Sequence, residues 1–199
     1  MTLIANGSSR QNTGGACCEN GFSLLETLVV LALIGLMLLF AGINLFSTAR
    51  QSEFEEFARK VYADLEQCRW KSWNERVYAG AVFKAQSRGF SVSYYLDGNG
   101  NGIRTADIDK QKDILYRGPL LLQEASGDIG VGTLDGSDPV RFGRSDILSF
   151  SPNGDSSSGT LYLVCRSQKQ MYSIVIYGPT ARMTLWKFSN QQWQMVGDR

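Results

Sequence analysis

Gly21-Phe22-Ser23-Leu24-Leu25-Glu26-Thr27 leads directly into LVVLALIGLMLLFAGINLF, residues 28–46, where Asn44 is the one strongly polar side chain. At about 1.5 Å per residue, a helix over this run covers roughly the 30 Å of a bilayer's hydrocarbon core. A secretory signal is shorter, with an apolar region of typically about 7–15 residues before a small-residue cleavage site. The run therefore predicts a membrane-spanning helix. Glu26 stands where that helix begins. A lone acid costs about 2.5–3.5 kcal/mol at mid-helix and less near an interface, so it calls for a partner.

Towards the C-terminus the helical pattern continues. Phe54, Phe57, Ala58, Val61, Tyr62, Leu65, Cys68 and Ser72 recur at three- and four-residue spacing, and Glu53, Glu55, Glu56, Arg59, Lys60, Asp64, Glu66, Arg69 and Lys71 fill the gaps. No proline falls between Phe22 and Trp73. One helix over residues 22–74 is predicted, on the order of 80 Å long, apolar all round in its first half and amphipathic in its second. After Trp73, short runs rich in Val, Tyr, Phe and Ile alternate with Gly, Asn, Asp and Ser, which is the pattern of strands and turns. Strands are predicted at 77–84, 90–96, 114–117, 119–123, 147–151, 160–166, 171–177, 182–188 and 193–196. Residues 85–89 and 167–170 are short enough for antiparallel hairpins. No helical pattern alternates with the strands, which excludes a doubly wound parallel sheet. The fold class expected is α+β, a long N-terminal helix packed on an antiparallel β-sheet domain.

Towards the N-terminus, MTLIANGSSRQNTGGACCENG is polar, lacks periodicity and stops at Gly21. It reads as a removable leader. Together with Gly21-Phe22-Ser23-Leu24-Leu25-Glu26-Thr27-Leu28-Val29-Val30, it resembles the prepilin signal of type IV pilins and type II secretion pseudopilins. The resemblance implies cleavage between Gly21 and Phe22 by a prepilin peptidase, and methylation of the new Phe22 amine. It also implies a pilin-like fold and assembly with other pilin or pseudopilin subunits through the N-terminal helix. In that family the acid matching Glu26 pairs with the N-terminal amine of a neighbouring subunit, which supplies the missing partner. The organisation implied is a leader at 1–21, a transmembrane and filament-forming segment at 22–46, an amphipathic half at 47–74 and a periplasmic β-rich domain at 75–199. The chain would lie in membrane lipid before assembly, single-pass in the bacterial inner membrane, and then in a pilus or pseudopilus. Such leaders usually carry several Lys or Arg residues, whereas here only Arg10 does so.

Later residues resemble one branch of that superfamily, the GspH/FimT-like minor pseudopilins and pilins. These are Tyr95-Leu96-Asp97-Gly98-Asn99-Gly100-Asn101-Gly102-Ile103-Arg104, and Leu148-Ser149-Phe150-Ser151-Pro152-Asn153-Gly154-Asp155 followed by Ser158-Gly159-Thr160-Leu161. Where DNA-binding members of the branch carry Gly-Arg-x-Arg, this chain has Ala181-Arg182-Met183-Thr184, which lacks the Gly and the second Arg. No DNA-binding residue is assigned, and nucleic acid is not expected as a partner. Twenty Lys+Arg against nineteen Asp+Glu leave a net charge of +1, so no strong basic field argues otherwise. Tyr94, Tyr95, Trp186 and Trp193 read as sheet packing.

Two local patterns admit two readings each. In the stretch from Asp97 to Asp107, oxygen donors at alternate positions followed by glycine mimic the start of a calcium loop, with Asp97, Asn99, Asn101 and the Ile103 carbonyl as ligands. Its twelfth position is Ile108 instead of an acid, and the other reading is a polar β-loop with no cofactor. Cys17 and Cys18 fall in the leader. Cys68 and Cys165 read either as a disulfide formed in an oxidising compartment or as two buried thiols.

No enzyme is expected. The 199-residue chain has no His, which removes the commonest general base near neutral pH and the commonest zinc ligand. No catalytic residue is assigned, because no Ser, Cys or Lys has an identifiable base. The function expected is a structural subunit of a type IV pilus or type II secretion pseudopilus. The alternative is a membrane-anchored extracytoplasmic binding domain, calcium-binding in one version, that never assembles.

Overall fold

The computed structural model of the chain describes residues 23–189 and 191–198, and their side chains except at 39–47 and 198. The chain divides into two compact units, one ending at Phe46 and the next starting at Ser47. Helix α1 is Leu24–Glu75, close to the predicted 22–74. From Ser47 onward it belongs to the second unit, where Phe54, Ala58, Val61, Leu65, Cys68 and Ser72 are buried along one stripe. Their alternating four- and three-residue spacing keeps them on one face of a 3.6-residue helix. Phe57 and Tyr62 flank that stripe, half-buried against the same core.

Among the described residues ten strands follow, all paired antiparallel: β1 (Ala79–Gln86), β2 (Gly89–Leu96), β3 (Ile114–Leu121), β4 (Ile129–Val131), β5 (Val140–Arg141), β6 (Ile147–Phe150), β7 (Gly159–Cys165), β8 (Gln170–Tyr177), β9 (Arg182–Ser189) and β10 (Gln192–Asp198). One sheet runs in the order β3-β2-β1-β6. The other runs β10-β9-β8-β7-β4, with β5 also paired to β7. The inner faces of both sheets and the buried stripe of α1 form one core. At its centre Phe54 meets Tyr172 edge to face, ring centroids 5.0 Å apart. The class is α+β, as the sequence predicts.

The structure departs from the sequence reading in identifiable places. The runs at 114–117 and 119–123 form the single strand β3, because its pairing with β2 is irregular near Tyr94 and accommodates Gly118. Gly118 has φ +104, and a Cβ there would lie 2.8 Å from the Val92 carbonyl oxygen, so only glycine fits. Strands β4 and β5 and the short helix α2 (Thr105–Asp109) carry too few residues to show a period. Arg69, read as part of the exposed charged face, is buried. Its guanidinium donates to the Ala181 carbonyl, in the turn before β9, and pairs with Glu66 at 3.2 Å.

The first sheet has a second, smaller core on its outer side. Val82 and Ile147 pack there against Ile103, with Tyr95 and Ile108 at the margin. Gly80 makes this contact possible: a Cβ on it would lie 2.8 Å from Ile103 Cγ1 and 2.9 Å from the Leu148 carbonyl oxygen. Residues 97–113, between β2 and β3, are thereby held against β1.

Candidate functional site

In the N-terminal unit, every side chain from Ser23 to Leu38 is exposed. Thr27 N–H donates to the Ser23 carbonyl at 3.1 Å and Thr27 Oγ1 donates to the Leu24 carbonyl at 2.8 Å, which closes the first turn of α1. Glu26 lies in that turn, where the partial positive charge of a helix N-terminus favours an acid. It has no ion-pair partner among the described residues. Around it stand Leu24, Leu25, Leu28 and Leu31, 62–81% exposed. The surface is thus a run of aliphatic side chains with one carboxylate at its start. Gly21 and Phe22, the expected processing pair, lie outside the described residues, as do Cys17 and Cys18. Among the described residues, no helix is long and apolar enough to cross a membrane. The second part of the 28–46 run lies where side chains are not described.

The loop 97–113 is the most acidic buried feature of the second unit. Asp97, Asp107 and Asp113 are 5%, 8% and 4% exposed. Asp97 Oδ1 accepts N–H bonds from Asn99 and Gly100, and its Oδ2 accepts one from Gly102 at 2.6 Å. Asn99 Oδ1 accepts from the Asn101 N–H, and Asn101 Nδ2 donates to Asp107 Oδ2. That last bond, more than any other influence, holds Asp107 below the usual carboxylate range. Asp113 goes the other way: burial raises its pKa, and the neighbouring charges of Asp97 and Asp107 add to the rise. Ile103 serves the loop through its buried side chain, packed on Gly80. Asp97, Asn99 and Asn101 are thus joined in one hydrogen-bonded turn. No group of three or more His, Cys, Asp or Glu side chains that could hold a metal ion occurs among the described residues. Asp113 was missed in the sequence because it lies beyond the motif and returns only through the pairing of β3 with β2.

Cys68 and Cys165 are both free and buried, so the disulfide reading gives way to two separate thiols. Their neighbours explain why. Cys68, on α1, lies against the Tyr116 hydroxyl of β3, and burial pushes its pKa up to about 12. Cys165, at the end of β7 in the other sheet, donates to Asp128 Oδ2 at 3.4 Å. Asp128 also accepts from the Ser167 hydroxyl and N–H, which holds it below the usual carboxylate range.

Arg182 opens β9 beside Tyr177, Thr184, Trp186 and Met195, which line a shallow depression of about 400 Å³ on the outer face of the second sheet. Tyr94 is core, Tyr95 packs under the 97–113 loop, Trp186 Nε1 donates to Thr184 Oγ1, and Trp193 packs between Tyr162 and Phe188.

Residues 17–42 match the model of the prokaryotic N-terminal methylation motif, a type IV pilin-like signal. No curated protein and no solved structure matches the chain. The matched segment includes Gly21, Phe22, Glu26 and most of the apolar run. Such a signal suggests a pilin-like or pseudopilin-like precursor, and it points to a structural subunit rather than an enzyme. It also implies a prepilin peptidase and other pilins as partners.

Proposed function

We propose that this chain is a minor pilin or pseudopilin of the GspH/FimT type, made as a precursor and built into a type IV pilus or type II secretion pseudopilus. The peptidase cuts between Gly21 and Phe22 and the Phe22 amine is methylated. The chain waits in the inner membrane with its β-rich domain in the periplasm. During assembly the 28–46 segment passes from lipid into a bundle of like helices, at small cost because both surroundings are apolar. Glu26 takes the N-terminal amine of a neighbouring subunit as its partner, so two charges that lipid penalises satisfy each other and fix the register.

The observation that carries this reading is the methylation motif at 17–42, which runs into helix α1, whose side chains at 24–38 are all exposed, largely aliphatic and marked by a single acid. Water does not satisfy such a surface; lipid covers its aliphatic side chains before assembly, and neighbouring helices cover them and answer the acid in the filament. Mass spectrometry of the N-terminus in the native host tests it. N-methyl-Phe22 is expected, and a chain that retains Met1 or is cut elsewhere overturns the reading.

A further inference from the structure

The last residues paired between β2 and β3 are Leu96 and Ile114. Continuing that register by one position sets Asp97 opposite Asp113, at the start and end of the loop. The backbones meet closely here, since a Cβ on Gly98 would lie 2.1 Å from the Lys112 carbonyl oxygen. Like charges directly opposite each other on adjacent strands repel, and both residues are buried. No cationic side chain pairs with either one among the described residues; Lys112 reaches only Asp107, at 3.9 Å.

Asp97 has its charge answered by three backbone N–H groups, whereas Asp113 does not. Its Oδ2 accepts a long bond, 3.3 Å, from the Arg104 N–H, and the Gly98 N–H also faces the carboxylate, which fixes it within the loop. Its Oδ1 is buried with no hydrogen-bond partner. A buried carboxylate oxygen left bare is costly unless something positive meets it. Asp97 retains capacity too, because a carboxylate offers about four lone-pair sites and the three backbone N–H bonds take three of them.

We propose that Asp97 and Asp113 share a divalent cation, calcium by its donor chemistry, completed by amide and carbonyl oxygens of residues 99–103. The donors are all oxygen, with no thiolate or imidazole, which suits calcium over zinc or copper. With two carboxylates and neutral oxygens, the set falls short of a three-acid cluster, in keeping with the absence of such a cluster among the described residues. It replaces the acid missing from the loop's twelfth position with one delivered by strand pairing. The bound ion would fasten the loop that Ile103 lays over β1. This inference does not depend on filament assembly.

The test uses the full chain in detergent micelles, stripped with EGTA and melted with added CaCl2, with MgCl2, or with NaCl at matched ionic strength. At calcium about 100-fold above its Kd, the melting temperature is expected to rise by about 5–10 °C, with little change in the other salts. Asp113→Asn is expected to lose that shift while melting in EGTA no lower than the parent, because it removes a bare buried charge. Asp155→Asn, on another loop, keeps the shift. Equal shifts with calcium and magnesium, or a full calcium shift in Asp113→Asn, overturn the proposal. Terbium luminescence on the unmutated chain gives a second reading, sensitised by Tyr78, whose ring lies 3.9 Å from the Cβ position of Gly102. Emission displaced by calcium supports the site, and absence of sensitised emission overturns it.

Discussion

The guanidinium of Arg69, on α1, donates to the main-chain carbonyl of Ala181 at 2.9 Å, tying the helix to the turn before β9. Ala181 holds a left-handed backbone conformation, φ 48, at the end of the 3-10 turn Gly178–Thr180, so the bond secures a turn that an alanine adopts at some cost. Arg69 also lies 5.3 Å from the Trp73 ring centroid. Arg69→Ala should cost about 3–5 kcal/mol, because it removes a nearly buried ion pair with Glu66 and frees the Ala181 carbonyl. Arg69→Met keeps the apolar stem and should cost less. Denaturant unfolding of the two variants against the parent chain checks both the size and the order.

Gly80 and Ile103 form a second coupled pair. Gly80→Ala forces a Cβ against Ile103 and the Leu148 carbonyl, an overpacking expected to cost about 1–3 kcal/mol. Ile103→Ala should cost about 2 kcal/mol or more as the small core under the loop empties. The double variant should be less destabilised than the sum, by about 0.5–3 kcal/mol, since truncating Ile103 relieves one of the two clashes. Strict additivity in a double-mutant cycle would contradict the contact.

The thiols give a chemical prediction. Cys68 and Cys165 should remain unmodified by Ellman's reagent in the folded chain, and both should react once it is unfolded, with no reductant needed. A reductant-dependent rise in thiol count would show a disulfide instead.

Burial also fixes the direction of an alkaline effect. Cys68 titrates near 9 when exposed and about 12 when folded, so its contribution to stability is complete below pH 9 and is lost as pH rises towards 12. Tyr94 and Tyr116, raised above the usual phenol range chiefly by burial, act in the same direction at higher pH. Melting temperature should therefore fall above pH 9, and Cys68→Ala should remove part of the early fall while lowering stability at neutral pH.

For the filament reading, Glu26→Ala should leave the thermal unfolding of the β-rich unit unchanged, since that unit has its own core. Incorporation into filaments should drop by roughly tenfold or more, the effect of about 1.4 kcal/mol on an equilibrium. Immunoblotting of sheared filaments against the membrane fraction measures this. Equal incorporation beside the unmutated chain would remove Glu26 from the assembly mechanism.

The stripe from Phe54 to Ser72 was legible because one helix face meets one core, and a 3.6-residue period records that contact directly. The long strands were legible because side-chain alternation and turn residues are local. Arg69 was not: a long side chain between charged neighbours reads as solvent-facing, and only the turn at Ala181 draws it inward. Asp113 was not legible either, because a motif read along the chain cannot show which residue lies across a strand pair. The cysteines turned on the same limit, as spacing alone does not say that Cys68 meets Tyr116 while Cys165 meets Asp128.

The sequence by itself determined the methylation signal, the aliphatic run with its single acid and the α+β class, since each depends on neighbours in the chain or on a short period. Only the tertiary structure decided which buried groups find partners. It satisfied Asp97 with backbone N–H groups, left Asp113 Oδ1 without one and kept the two thiols apart, because hydrogen bonding and charge compensation depend on distances through space that strand register and helix packing set.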